Sequence, residues 1–241
     1  MSTTPPDPAL EVYRLEVRYS GVPAVKGISF TVGRGETVGL IGPNGAGKSS
    51  TLQALMGAVR CTGDVRLGGA DITGLPPETV IRRGLALVPE GRHIFGDLSV
   101  RNNLRLGLVG RRDRAGSAED LEAVLELFPV LREFADRAAG LLSGGQQQQL
   151  AIGRALLARP DVLMLDEPSL GLSPTAVDTV FEALEAVRAQ GTAVLVVEQR
   201  AEFTIAFADR TYVLHDGEIT LELTPEAADD EALLTKAYFG S

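Results

Sequence analysis

Along most of the chain, short apolar runs alternate with stretches whose apolar residues recur every third or fourth position. Residues 39–41, 85–88, 162–165, 193–197 and 211–214 are β-rich and almost wholly apolar, as strands buried on both faces must be. Leu121, Val124, Leu125 and Phe128, and again Val177, Val180, Phe181, Leu184 and Val187, fall at helical spacing, so each segment predicts a helix that buries one stripe. Strands alternating with helices predict a mostly parallel sheet with crossover helices. The N-terminal part follows a different rule: residues 10–19 and 28–32 alternate in polarity and are joined through Gly and Pro, the pattern of antiparallel strands. Residues 98–150 carry helical pattern without a credible strand and are expected to leave the sheet. The expected architecture is a single α/β domain over residues 1–241, with an N-terminal antiparallel β region and a helical subdomain over about 98–150.

Composition narrows the function classes. The 241 residues, 44% apolar and 23% charged, suffice for a substantial core. Acidic side chains outnumber basic ones 32 to 23, and the formal charge of −9 repels phosphate backbones, so no nucleic-acid partner is expected. The single cysteine, Cys61, cannot close an intrachain disulfide, and the opening MSTTPPDPAL has neither the basic nor the apolar character of a secretion signal. A reducing, cytoplasmic setting is the expectation. No apolar run approaches the roughly 18 to 20 residues that span a bilayer, so membrane association is expected to be peripheral.

Candidate chemistry begins between the apolar run ending at Ile41 and the helical run through Leu52, Leu55 and Met56. Gly42, Pro43, Asn44, Gly45, Ala46, Gly47, Lys48 and Ser49, followed by Ser50, match G-x-x-x-x-G-K-[ST] in the strand–loop–helix context that the motif requires. Its glycines let backbone N–H groups point inward, and the helix start adds its positive dipole end, so the loop cradles phosphates. Lys48 is expected to reach the β- and γ-phosphates and Ser49 to face Mg²⁺.

The strand at 162–165 runs into Asp166 and Glu167, which puts two carboxylates at the C-terminal edge of the sheet, where open α/β folds bind ligands. One acid can hold Mg²⁺ through water, and the other can orient and polarise an attacking water. Upstream, Leu142, Ser143, Gly144, Gly145 and Gln146 read as a helix start whose Ser is an N-cap and whose glycines bare the amides, a second anion site. This LSGGQ string, in its order and spacing with the phosphate loop and Asp166-Glu167, resembles the signature motif of ATP-binding cassette (ABC) ATPases, and the resemblance covers almost the whole chain. It implies a P-loop NTPase fold, ATP and Mg²⁺ as ligands, and a signature motif that closes over the γ-phosphate held by a partner subunit. By the same resemblance, Glu167 is the catalytic base, Asp166 faces the metal, and Tyr19 is similar to the aromatic that stacks on adenine. Residues 169–174 resemble the loop along the dimer seam, with Ser173 where many members have aspartate.

Two departures sharpen the resemblance. Glu90 stands where the family usually has a glutamine touching Mg²⁺ and the attacking water; a carboxylate can still coordinate the metal but adds negative charge. Gln199 occupies the place of a histidine that contacts the γ-phosphate, and the two histidines, His93 and His215, fall elsewhere. V-P-E-G-R over 88–92, Ile94-Phe95, Asn102-Asn103-Leu104, V-E-Q over 197–199 and the ending at 237–240 together resemble the second ATPase subunit of branched-chain amino acid importers. Urea and short-amide importers share the V-E-Q string and stand as the alternative; a soluble ABC ATPase is the alternative of a different class. The resemblance implies a second ABC ATPase subunit, two integral membrane permease subunits and, indirectly, an external solute-binding protein, at the cytoplasmic face of the membrane. Because Gln199 cannot carry an imidazolium charge, the second cassette is expected to be a different, histidine-bearing chain, with a homodimer as the alternative. Residues 90–114, made basic by Arg101, Arg105, Arg111, Arg112 and Arg114, are the expected contact with the permease.

Overall fold

A computed structural model describes residues 8–111, 113 and 115–226. The strands are β1 (Pro8–Tyr19), β2 (Val22–Gly33), β3 (Thr37–Ile41), β4 (Cys61–Leu67), β5 (Ala70–Asp71), β6 (Leu85–Val88), β7 (Val162–Asp166), β8 (Ala193–Glu198), β9 (Arg210–His215) and β10 (Glu218–Leu223). The helices are α1 (Lys48–Leu55), α2 (Pro77–Arg83), α3 (Val100–Gly107), α4 (Ser117–Leu127), α5 (Pro129–Glu133), α6 (Gly144–Leu156), α7 (Pro174–Ala189) and α8 (Ala201–Phe207).

Two sheets result. One is antiparallel, in the order β2-β1-β4-β5; the other runs β10-β9-β3-β8-β7-β6, parallel throughout except where β10 pairs with β9. This is the expected α/β architecture with an antiparallel N-terminal part. The parallel strands read as unbroken apolar runs because both their faces are covered. In β7, Val162 and Met164 enter a core shared with the antiparallel sheet, while Leu163 and Leu165 enter a second core beneath the helices. Alternate residues of β8 divide in the same way, Leu195 and Val197 against Val194 and Val196.

Between β6 and β7 the chain carries α3 to α6 and two short 3-10 turns, with one isolated bridge, Ser99 to Ala138, as the only strand-like pairing among its described residues. Phe128, Leu131 and Leu150 are fully buried there. Ser99 caps α3 by accepting the Asn102 N–H at 3.2 Å. The buried Asn103 holds the preceding loop by donating to Phe95 O and accepting from Phe95 N, each at 2.9 Å. Strands β4, β5 and β10 went unread in the sequence. β4 exposes Thr62, Asp64 and Arg66 and buries only Val65 and Leu67, which leaves it a weak apolar signal, and it lies opposite an irregular register in β1 between Tyr13 and Glu16. The sequence ending at 237–240, quoted for the family resemblance, lies outside the described residues.

Candidate active site

The order of the parallel sheet puts β8 between β3 and β7, and the register aligns their ends. Ile41 pairs with Glu198, and Asp166 pairs with Val197. The chain leaving β3, the carboxylates leaving β7 and Gln199 leaving β8 therefore emerge side by side, at the C-terminal edge where such sheets bind ligands.

After Ile41 the backbone turns so tightly that only glycine fits at two places. A Cβ on Gly42 would lie 2.0 Å from Leu214 O, and Gly47, with φ 108°, would meet Ala24 O at 2.5 Å. Lys48 opens α1 and is almost wholly buried. Its Nζ donates to Gly42 O (2.8 Å) and Pro43 O (3.2 Å) and stands 3.8 Å from Glu167 Oε1. Burial lowers the Lys48 pKa, and Glu167, Asp166, Glu198 and Glu90 oppose that shift.

Asp166 ends β7, 8% exposed, with Oδ1 lacking a hydrogen-bond partner. Burial raises its pKa, and a hydrogen bond with Ser49 counteracts this. Glu167 has φ 48°, the left-handed region unusual for a side chain of this size, and donates its N–H to Val197 O at 2.8 Å. Its carboxyl is likewise raised, first by burial and then by the neighbouring acids, against the Lys48 ammonium. Lys48, Ser49, Ser50, Asn44, Gly45 and Gly47 face Glu90, Glu167 and Gln199 around one cleft of about 470 Å³. Ala46 is buried behind the loop, its N–H donating to Pro43 O.

The remaining candidates stand apart from that cleft's lining. Tyr19 ends β1 with an exposed ring and a hydroxyl donating to Gln53 Oε1 of α1 at 3.2 Å. Ser143 caps α6 in a reciprocal box: its Oγ accepts the Gln146 N–H (3.4 Å), and Gln146 Oε1 accepts the Ser143 N–H (2.9 Å). Gly144 and Gly145 form the first turn. Arg92 links this region to the seam loop, donating to Gln147 Oε1 (3.5 Å) and Leu170 O (3.4 Å). Sequence reasoning gave no role to Glu198, a carboxylate almost wholly buried within the V-E-Q string.

The donors fit a hard divalent cation. A buried carboxylate oxygen without a partner, beside a serine hydroxyl and facing a phosphate cradle, is the arrangement Mg²⁺ takes when most of its ligands come from phosphate and water. Among the described residues no three His, Cys, Asp or Glu side chains form a metal-holding group.

A second concavity, about 340 Å³, lies on the other side of the loop after β6. Ile81, Val88, Pro89, Phe95, Leu106 and Ala155 are among its walls, and the half-buried Arg154 lines it too. Two arginines of the basic stretch expected to contact a permease have partners within the chain. Arg101 forms a two-point pair with Asp136, and Arg111 is buried, held by Asp120 and by the carbonyls of Asp113 and Ala115. Arg105 is exposed, and Arg112 and Arg114 lie outside the described residues. No helix among the described residues is long and apolar enough to cross a membrane.

Comparison with known proteins agrees with this geometry. The ABC transporter family model matches residues 25–170. The chain is 42% identical over 228 residues to the high-affinity branched-chain amino acid transport ATP-binding protein BraG of Pseudomonas aeruginosa, covering 94% of this chain and 97% of that protein. It is 34% identical over 251 residues to BraF of the same organism, a protein of the same description, covering 97% and 98%. Its fold superposes with TM-score 0.86 on the crystal structure of an ATP-binding cassette of an ABC transporter in its ADP conformation, at 26% identity, covering 97% of this chain and 99% of that one. The chain belongs to the ABC transporter family, as one of its ATP-binding cassettes.

Proposed function

We propose that this chain is the ATP-hydrolysing subunit of an importer for branched-chain amino acids. It acts at the cytoplasmic face of the membrane with two permease subunits, a second cassette and, indirectly, an external solute-binding protein. The observation that carries the ATPase reading is the meeting of Lys48, Ser49, Glu90, Glu167 and Gln199 around one cleft. The solute rests on the likeness to BraG and BraF, both named for branched-chain amino acid transport.

In this reading the amides of residues 42–50 and the Lys48 ammonium hold the β- and γ-phosphates, and Tyr19 stacks on adenine. Glu167 takes the proton of the attacking water as the water oxygen bonds to the γ-phosphorus and the bond to the β-phosphate oxygen breaks, leaving ADP and phosphate. A carboxylate whose burial raises its proton affinity is the better acceptor for that proton. Gln199 donates an amide hydrogen bond to a γ-phosphate oxygen. Ser49, Asp166 and Glu90 would hold Mg²⁺, which when bound would supply charge that offsets the negative charge of the triphosphate. Ser143, Gly144, Gly145 and Gln146 close over the partner's γ-phosphate. Residues 98–150 act as the helical subdomain, and the apolar concavity at its base receives a cytoplasmic segment of the permease.

Glu167→Gln tests the core of this reading: it keeps nucleotide binding, stops hydrolysis and accumulates an ATP-filled dimer on size exclusion. Steady ATPase activity in a verified preparation removes Glu167 from the base role. The solute is tested by reconstituting the chain with its genomic neighbours and measuring ATPase stimulation by leucine or by urea; stimulation by urea alone replaces the amino acid reading.

Pairing with a different cassette follows from Gln199, which offers a neutral hydrogen bond where an imidazolium offers one roughly twice as strong. BraG and BraF are two such ATP-binding proteins of one organism. ATPase rates of the chain alone, of Gln199→His and of the chain with its neighbouring cassette and permeases check this. Equal rates in all three sink the asymmetric pairing.

A further inference from the structure

One charged residue of β8 has no task in the reaction outlined above. Glu198 follows five apolar residues, is 3% exposed, and accepts the Ser169 N–H on Oε1 at 2.9 Å. Burying a carboxylate costs free energy that its partners must offset, and Glu198 also opposes the ionisation of its neighbours Asp166 and Glu167. A position this unfavourable is maintained by what it holds.

What it holds is the segment carrying Glu167. That residue sits at φ 48°, a conformation that persists only where the surroundings over-determine it. Its own N–H is tied to Val197 O. Pro168 has no N–H to donate, so the next possible tie to β8 is Ser169, and Glu198 takes it. Beyond this point the loop's own backbone bonds stay within it, Leu170 N to Glu167 O (3.1 Å) and Leu172 N to Ser169 O (3.2 Å), and Arg92 donates to Leu170 O from outside at 3.4 Å.

We propose that Glu198 is a positioning residue: by accepting the Ser169 N–H it fixes the backbone on both sides of Pro168, keeps the Glu167 carboxylate aimed into the cleft, and couples the seam loop to the strand that presents Gln199. This rests on Glu167 being the base. The bond is charge-assisted, so the amide oxygen of Gln in the same place accepts the same N–H more weakly, whereas the shorter Asp keeps the charge and loses the reach.

Glu198→Gln and Glu198→Asp therefore separate geometry from charge, in the assembled transporter, with kcat and KM for ATP read separately. We expect Glu198→Asp to lower kcat about tenfold or more, since a misplacement of about 1 Å can cost a hundredfold, with KM within about twofold. Glu198→Gln recovers most of that rate. If Asp performs as well as Gln or better, or if both variants keep the full rate, the positioning role is wrong. A fall in kcat matched by an equal rise in KM in either variant is also against it, because that is loss of the nucleotide site as a whole. Glu167→Gln run in parallel keeps the two readings apart: turnover in that variant overturns the base, while an inactive Glu167→Gln beside an inverted Asp and Gln order overturns only the role of Glu198.

Discussion

Two concave regions share the loop that follows β6. Val88 and Pro89 line the apolar concavity under α3, and the next residue, Glu90, lines the phosphate cleft. The cleft is built from backbone bent into positions that only glycine allows and from charges buried against one another. The concavity is built from Ile81, Phe95, Leu106 and Ala155, side chains that offer area and shape. The first kind of site recognises a ligand by charge and exact hydrogen-bond geometry, and tolerates almost no change of residue. The second recognises by excluded water, where the energy is spread over many contacts of modest size. One stretch of chain borders both: Val88 and Pro89 face the concavity, and Glu90 faces the cleft.

Substitutions that act on one region and spare the other test this division. Lys48→Ala should have the largest effect, lowering Mg-ATP affinity about a hundredfold or more by removing the one cation among the described residues that line the cleft, with permease capture intact in the absence of nucleotide. Fluorescent-nucleotide titration measures it, and affinity within threefold of the native chain contradicts the role. Next, Ala155→Arg places a long cation in the apolar concavity and should weaken capture of the permease about tenfold or more, leaving the ATP dissociation constant unchanged. Unaltered capture moves the docking site elsewhere.

A smaller effect belongs to Asp166. Burial raises its pKa, so the native state holds this proton more tightly than the unfolded chain does. The stabilisation from that proton is present in full below the ordinary carboxylate pKa and is lost as pH rises through the raised value. Asp166→Asn should therefore melt a few degrees higher than the native chain at pH 7 without nucleotide, with the gap narrowing as pH falls. Calorimetry that finds it less stable at pH 7 refutes the cost assigned to the carboxylate. The smallest effect is expected from Arg101→Glu with Arg105→Glu. An exposed ion pair such as Arg101 with Asp136 is worth about 0–1 kcal/mol, and permease capture should change less than twofold. A large loss of capture restores the basic grip that the sequence suggested.

The sequence was legible where physics leaves few options. Residues 162–165 and 193–197 had to be buried strands because a surface strand does not carry four or five apolar residues in a row, and both occupy the sheet as read. The phosphate loop was legible because its glycines are compelled by Leu214 O and Ala24 O, contacts that leave no freedom at positions 42 and 47. Strand β10 was hidden because an edge strand needs only one sealed face, and Glu218, Thr220 and Glu222 dilute its apolar signal. Arg111 was misjudged for a related reason: a sequence gives charge but not its partner, and the basic residue counted toward a surface patch lies inside, against Asp120. Glu198 was overlooked because an acidic residue at a strand end reads as solvated, and only the burial of its neighbours reveals otherwise.

The reciprocal cap at the start of α6 has a kinetic consequence. Ser143 and Gln146 satisfy each other's backbone N–H groups within a single chain, so the turn is complete before any second subunit arrives. A surface already in its final shape pays no ordering entropy when it docks and needs no refolding when it departs. Its encounter rate is then set by diffusion and orientation, and its lifetime by whatever is trapped between the two faces. In the sandwich proposed above, such a turn would serve as a reusable latch whose closing depends on the trapped nucleotide, so that its cleavage would also signal release.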